Sequence, residues 1–320
     1  MRCLFIILFI VRLLYADYGG GYAGTEFNYA SNARDIALAK SNLSSGSRGY
    51  FQFSNPAILS QISSLDICSS YMTLPLERSV QTLSITKPLP PYAGLGISLY
   101  RSATDNIYGR DLMNQFTEEY NVSNYMGMLS FGLSPSKKVA LGLNLKTFLI
   151  QFVNNHTANG IGFDLGLLIK PTSKLIFALK LENILAEMNW KIELNDNHQR
   201  VETFPLNILI GSMYEYLALK IFFQQEFIGL NYKEYFYKTR LGSEYLLGPL
   251  KLQLGFYQNR GEFFNETKLD FNFVLTGGFG LNLNDYSYLP LQLNYAFDMG
   301  RVDEGLSHMF TISYRFNEVQ

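Results

Sequence analysis

The chain is poor in the residues that build most catalytic, metal-binding and disulfide-stapled proteins. Its 320 residues include two cysteines, three histidines and one tryptophan. Cys3 falls in the leader described below, so Cys68 is the only thiol of the mature chain. An internal disulfide and a thiolate metal centre are both excluded. Charge is scarce as well. Only 17% of residues are charged, 26 Lys and Arg against 27 Asp and Glu, for a net charge of −1. Without a basic block to attract phosphate, nucleic acid is not an expected partner. Long apolar runs are missing too. Outside the first residues no stretch of roughly 18 uncharged apolar positions occurs, which excludes helical membrane spans.

What is abundant is aromatic surface, with 22 Tyr and 25 Phe. Disorder is thereby excluded, because a disordered chain has high net charge and few aromatics. The mean hydropathy of +0.02 leaves a large soluble β protein or a membrane barrel. A barrel averages near zero because its lipid-facing and lumen-facing residues alternate.

The N-terminus reads as a secretory signal peptide over residues 1–16. Arg2 gives the positive start, Cys3 to Val11 the apolar core, and Leu14-Tyr15-Ala16 the cleavage site before Asp17. Such a segment is too short to span a bilayer.

From residue 65 to 316 one pattern recurs: about ten residues alternating apolar and small or polar, then a turn. Leu141, Leu143 and Leu145 alternate with Gly142, Asn144 and Lys146. Leu291, Leu293, Tyr295 and Phe297 face away from Gln292, Asn294 and Asp298. Phe310, Ile312, Tyr314 and Phe316 oppose Thr311, Ser313 and Arg315. About fourteen such segments are predicted. Short turns fall at 88–91, Pro135-Ser136-Lys137, Pro171-Thr172-Ser173, around Tyr216 and at Gly248-Pro249. Longer polar stretches, read as external loops, fall at 104–120, 151–159, 186–203, 228–235, 259–269 and 299–305.

A soluble sandwich also alternates, but its strands average about five or six residues. Here the segments reach the length a tilted strand needs to cross a bilayer. Short turns on one side and long loops on the other fit an outer-membrane barrel. Tyr214, Tyr216 and the tyrosines at 232–237 and 286–288 fit an interfacial girdle. The predicted fold is therefore all-β: a transmembrane antiparallel up-and-down barrel of about 14 strands, placed in the bacterial outer membrane.

Residues 17–64 do not alternate. They are rich in Gly, Ser, Ala and Asn, with one helical stretch from Ala33 to Lys40. A closed barrel of about fourteen strands is too wide to be filled by its own side chains. This segment is read as a hatch or plug folded into the lumen, and residues 317–320 as a short tail.

The run Asn32-Ala33-Arg34-Asp35-Ile36-Ala37-Leu38-Ala39, then Ser47-Arg48-Gly49 and Phe53-Ser54-Asn55-Pro56-Ala57-Ile58-Leu59, resembles the start of PorV/PorQ proteins, within the wider FadL-like group of outer-membrane barrels. Later stretches are similar as well, among them Leu181-Glu182-Asn183-Ile184-Leu185 and Leu293-Asn294-Tyr295-Ala296-Phe297. The resemblance implies a hatch motif at Asn55, Pro56 and Ala57, with Arg34 and Arg48 upstream of it. It also implies two duties. PorV-like proteins act in type IX protein secretion, binding an exported client or secretion-system components through their external face. FadL-like barrels move long-chain hydrophobic small molecules past a hatch and out through the wall. The family label favours secretion, with transport as the alternative.

Nothing in the sequence indicates an enzyme. His156 and His198 fall in predicted loops and His308 near the last strand, and no nucleophile motif accompanies them. No cofactor or metal is implied. The expected partners are outer-membrane lipid and either a client protein or a hydrophobic ligand. Tyr108, Phe116, Tyr120, Met188 and Trp190 are the expected external-loop contacts. Lys146, Asp164, Lys180, Lys238, Arg240 and Glu244 sit on the predicted lumen face, where charges need partners. They are read as a network that fixes the plug.

Overall fold

The computed structural model describes residues 22–152, 156–192, 198–233, 235–259, 272–283, 290–300 and 305–316. The signal peptide, nearly all of the loop at 259–269, the tyrosines at 286–288 and the tail at 317–320 lie outside the described residues.

Alternation turns into strands along the whole second part of the chain. The first seven are β1 (Leu65–Leu74), β2 (Arg78–Leu89), β3 (Ala93–Arg110), β4 (Phe116–Ser136), β5 (Val139–Gln151), β6 (Thr157–Ile169) and β7 (Leu175–Ile192). A short β8 (His198–Thr203) follows, then β9 (Asn207–Tyr216), β10 (Leu219–Ile228), β11 (Phe236–Leu247) and β12 (Leu250–Asn259). The last three are β13 (Asn272–Asn282), β14 (Leu291–Asp298) and β15 (Ser307–Phe316). Neighbours pair antiparallel in sequence order, except that β7 pairs with β6 on one side and with both β8 and β9 on the other. β15 returns to β1, with Leu65 opposite Phe316 and Thr73 opposite His308. The result is a closed 14-strand antiparallel barrel with β8 as one extra strand.

The two faces differ as the pleat requires. On β5, Leu141, Leu143, Leu145 and Leu149 point outward and are exposed, whereas Ala140, Asn144, Lys146, Phe148 and Ile150 are buried inside. The same division holds on β12, where Leu252, Leu254 and Phe256 are exposed and Gln253 is buried. An apolar belt around a closed barrel, with polar groups within, is the surface that acyl chains solvate. A water-soluble protein does not expose a contiguous patch of that extent.

Two predicted loops are corrected. The stretch 104–120 continues as strand: β3 runs to Arg110 and β4 begins at Phe116, forming a long hairpin. Likewise 186–203 holds the upper part of β7 and all of β8. On upper β7 the alternation inverts, with Ala186, Met188 and Trp190 turned to the inner cluster and Glu187, Asn189 and Lys191 outward, while main-chain pairing continues.

Residues 22–64 fold into the lumen. A short helix α1 (Ala33–Ala37) starts at Asn32, whose side chain accepts from Asp35 N at 3.1 Å and caps it. It ends in Ala39 and Lys40, both at positive φ. A second helical turn, α2 (Phe51–Ser54), leads into a 3₁₀ stretch at Pro56–Gln61, again opened by an Asn cap: Asn55 Oδ1 accepts from Ala57 N at 3.0 Å. Small wall residues let this segment approach. A Cβ on Gly142 of β5 would lie 2.2 Å from Ala57 N, and one on Gly255 of β12 would lie 2.5 Å from Ala39 N. Glycine at those positions is therefore a matter of room for the plug's backbone.

Candidate functional site: the lumen, its plug and a break in the wall

Charged side chains join plug to wall in four places. Arg34 on α1 forms a two-pronged pair with Glu244 of β11, Nε to Oε2 at 2.7 Å and Nη2 to Oε1 at 3.1 Å. Its Nη1 also donates to the Gly46 carbonyl. Arg48 Nε lies 3.2 Å from Asp66 Oδ1 on β1, and Arg315 of β15 reaches the same carboxylate at 3.0 Å. One buried acid thus ties the plug to the seam between first and last strands.

A third group centres on Asp164 of β6. Lys146 Nζ lies 2.6 Å from Asp164 Oδ1, and Lys180 Nζ lies 3.4 Å from Oδ2 and 2.9 Å from Glu182 Oε1. Lys180 also donates to the Phe53 carbonyl of the plug at 3.0 Å. The fourth pairs Arg240 with Glu226 at 2.8 and 3.0 Å, and Arg240 Nη1 donates to the Ala39 carbonyl at 3.0 Å. Lys238 stacks its ammonium 5.5 Å from the Tyr257 ring centre. Arg34, Arg48, Lys146, Lys180 and Arg240 each have a counter-charge and hydrogen bonds, the condition for keeping a charge ionised away from water.

The expected hatch residues take distinct roles. Asn55 donates to the carbonyls of Leu167 and Leu179 at 3.2 and 3.3 Å, bridging β6 and β7. Pro56 and Ala57 are buried against the glycines of β4, β5 and β6.

The expected external-loop contacts divide. Tyr108 and Phe116 are exposed on the β3–β4 hairpin with ring centres 6.0 Å apart. Tyr120, on the same hairpin, donates to Glu118 Oε1. Met188 is not an external contact: it is 1% exposed on the inward face of β7, because that segment is strand. Trp190 is half-buried on β7, packs against the same inner cluster and donates from Nε1 to Glu202 at 3.0 Å. His308 Nδ1 lies 2.9 Å from the Tyr295 hydroxyl on the neighbouring strand β14.

Periodicity gives no sign of a break in the wall beside β7. The β7–β9 ladder ends at Glu182 opposite Asn207, and the β7–β8 ladder begins at Glu187 opposite Thr203. Between them four residues of β7 face Phe204-Pro205-Leu206, with Asn183 and Leu185 at positive φ. One main-chain bond crosses here, Phe204 N to Ala186 O at 2.9 Å. On its other edge β8 meets no strand among the described residues. Asparagine side chains fill the missing ladder. Asn231 Oδ1 accepts from Leu206 N at 2.8 Å while its Nδ2 donates to Phe204 O at 2.9 Å. Asn183 Nδ2 donates to Pro205 O, and Asn207 Oδ1 accepts from Gly229 N. Proline cannot donate to a ladder, so its place at this point has a local cause.

The break is sealed from inside by the first described residues. Tyr22 packs on Tyr232 and Phe236, with ring centres 4.5 and 5.9 Å away. Gly24, at φ 77, lies against Phe204, where a Cβ would come within 2.0 Å of the ring. Phe204 is 3% exposed and stacks on Phe148 at 4.4 Å, and Phe27 closes on Phe148 at 5.3 Å.

Above the plug lies a cavity of about 760 Å³. Its lining runs from the rim at Arg78, Thr104 and Asp298 down to Ala39, Lys40 and Phe53, and sideways to Pro205, Asn207 and Ile228 at the break. A smaller space of about 90 Å³ adjoins it between Phe27, Tyr100, Met126, Met128, Phe148 and Phe204. The large chamber mixes acids, bases and apolar groups; the small one is aromatic and Met-rich, with the Asp164 cluster along one side. Burial raises the Glu26 carboxyl above the usual range, and Glu202 adds to the effect.

No family model and no curated protein sequence matches the chain. Solved structures do. It is similar to the CymD monoaromatic hydrocarbon channel (13% identity, TM-score 0.58, covering 91% of this chain and 99% of that one). It is also similar to the Pseudomonas putida toluene transporter TodX (11%, TM-score 0.60, 91% and 99%). A Pseudomonas aeruginosa FadL homologue matches at 10% identity with TM-score 0.60, over 90% and 98%. At these identities the likeness is one of fold, a closed antiparallel β-barrel.

Proposed function

We propose that the chain is an outer-membrane barrel that carries hydrophobic small molecules, taking them into the outer cavity and releasing them sideways through the break beside β7. The observation that carries this reading is the continuity of one cavity from the outer rim to Pro205, Asn207 and Ile228, where the sheet ladder is interrupted. A water-filled pore gives an apolar solute no advantage. A lateral exit delivers it directly into acyl chains, where burying each CH₂ is worth about 0.8 kcal/mol. The plug occupies the lumen beneath this cavity. The fold neighbours named as hydrocarbon and toluene carriers support the same class of cargo.

The secretion role has less in its favour. Of the five side chains expected to hold a client, Met188 is inside the barrel and Trp190 and Tyr120 are half-buried, which leaves Tyr108 and Phe116 of the hairpin as the exposed ones.

Trp190 is the chain's single tryptophan and packs on the apolar cluster beside the small space. The full chain in detergent is titrated with toluene and with a long-chain fatty alcohol while Trp190 emission is followed. A saturable change that Phe148→Ala weakens supports the reading. A non-saturating change, identical in that variant, overturns it.

A further inference from the structure

Basic side chains gather at one end of the barrel. The end that holds the start of β1 and the close of β15 also holds the turns after β2, β4, β6, β9 and β11. Lys87, Lys137, Lys138 and Lys174 are exposed there. Around the mouth stand five more, partly exposed: Arg48, Lys170, Lys220, Lys251 and Arg315. Among the described residues of this end, the one carboxylate that is not buried is Glu215, 3.8 Å from Lys220. Asp66 is buried beneath Arg48 and Arg315, and Glu244 beneath Arg34. The opposite end mixes signs: Glu77, Asp105, Asp111, Glu118 and Glu187 accompany Arg78, Arg101, Arg110, Lys191 and Arg200.

A merely solvated surface intersperses both signs, whereas a one-sign field concentrates and steers a partner of the other sign. The directions of these side chains say which kind. Lys170, Lys220, Lys251 and Arg315 alternate with the outward-facing Ile169, Ile221, Leu252 and Tyr314, so they face the mouth and not the lateral surface. Lys137, Lys138 and Lys174 stand in turns beyond the strand ends. Only Lys87 shares the outward face of its strand, between Ile85 and Leu89. Charges meant for lipid headgroups would occupy the lateral, outward positions.

We propose that this end of the barrel is a docking face for an acidic segment of a protein partner, seated across the mouth. The face is continuous with the plug. Lys170 Nζ donates to Gln61 Oε1 at the end of the 3₁₀ stretch, and Ser60 pairs with Ser134 of β4 at 2.7 Å. A partner held by these lysines therefore lies against the plug's Pro56–Gln61 stretch. The inference stands apart from the cargo: it needs the barrel and its charges, not transport.

The test uses the full chain in neutral detergent micelles and a fluorescent oligo-glutamate peptide, read by anisotropy. Saturable binding is expected at low salt, weakening about tenfold or more as salt rises through the physiological range. The Lys137→Glu/Lys138→Glu/Lys174→Glu variant, altered only in exposed turns, is expected to lose binding by a similar factor. Lys191→Glu/Arg200→Glu at the far end should leave it unchanged. No saturable binding, or equal loss from both variants, overturns the proposal. So does the finding that wild type ignores the peptide but enriches phosphatidylglycerol from mixed micelles, which assigns the lysines to lipid.

Discussion

Arg34 and Glu244 lie 210 residues apart in sequence and meet inside the barrel with Nε 2.7 Å from Oε2. Gln253 donates to the same carboxylate oxygen at 2.8 Å, and the Phe222 ring centre lies 5.5 Å from the guanidinium carbon. The pair is the firmest charged link between α1 and the wall. Removing one partner leaves a buried charge uncompensated, which costs about 3–5 kcal/mol in proteins generally. Glu244→Ala is expected to free the plug before it melts the barrel. Limited proteolysis of residues 30–50 should speed up while the folded barrel keeps its gel mobility. Arg34→Ala/Glu244→Ala should recover part of the loss, since no charge is then stranded. Unchanged cleavage in the single variant would refute the latch.

Gly142 is one of the places where the wall yields to the plug's main chain. A side chain there meets main-chain atoms, Ala57 N at 2.2 Å and the Pro56 carbonyl carbon at 2.3 Å, which no rotamer change relieves. Gly142→Leu is expected to push the Asn55–Ala57 turn off the wall. Single-channel recordings should then show an ion leak that the wild type lacks, with strand content by circular dichroism unchanged.

The alternation of Leu141, Leu143 and Leu145 with Asn144 and Lys146 makes β5 legible in the amino-acid pattern alone, because bilayer and lumen impose opposite demands on adjacent residues. The same reasoning fails at Tyr108, Phe116 and Met188. There the strands rise past the apolar belt, and pairing is carried by main-chain bonds that sequence does not display. The break beside β7 is hidden for another reason. Phe204-Pro205-Leu206 keeps the apolar character of a strand, so it reads as the start of β9, which begins at Asn207. Pro205 is the available signal, since proline inside an apparent strand marks an edge or an interruption.

Asn231 replaces strand pairing with a single side chain. Its amide both accepts from Leu206 N and donates to Phe204 O. Asn231→Ala is expected to leave global stability nearly unchanged and to loosen this stretch alone. Hydrogen exchange at the Phe204 and Leu206 amides should accelerate at least tenfold relative to β9 amides. Equal exchange in variant and wild type would mean that the break is held elsewhere.

Phe204 allows stability and passage to be separated. Its ring fills the angle between Gly24 and Phe148, so it belongs at once to the seal and to the packed interior. Truncating a buried Phe to Ala generally costs about 3–5 kcal/mol, and Phe204→Ala should lower the unfolding temperature of the barrel accordingly. A residue with only a packing role would also lower the uptake of an apolar solute as folded protein is lost. A seal residue should do the opposite per folded molecule. Proteoliposomes carrying equal amounts of folded variant and wild type are compared for toluene entry. Faster entry in Phe204→Ala supports the side route, and slower or equal entry removes Phe204 from it. Phe148→Leu, which keeps an apolar side chain beneath Phe204, should fall between the two.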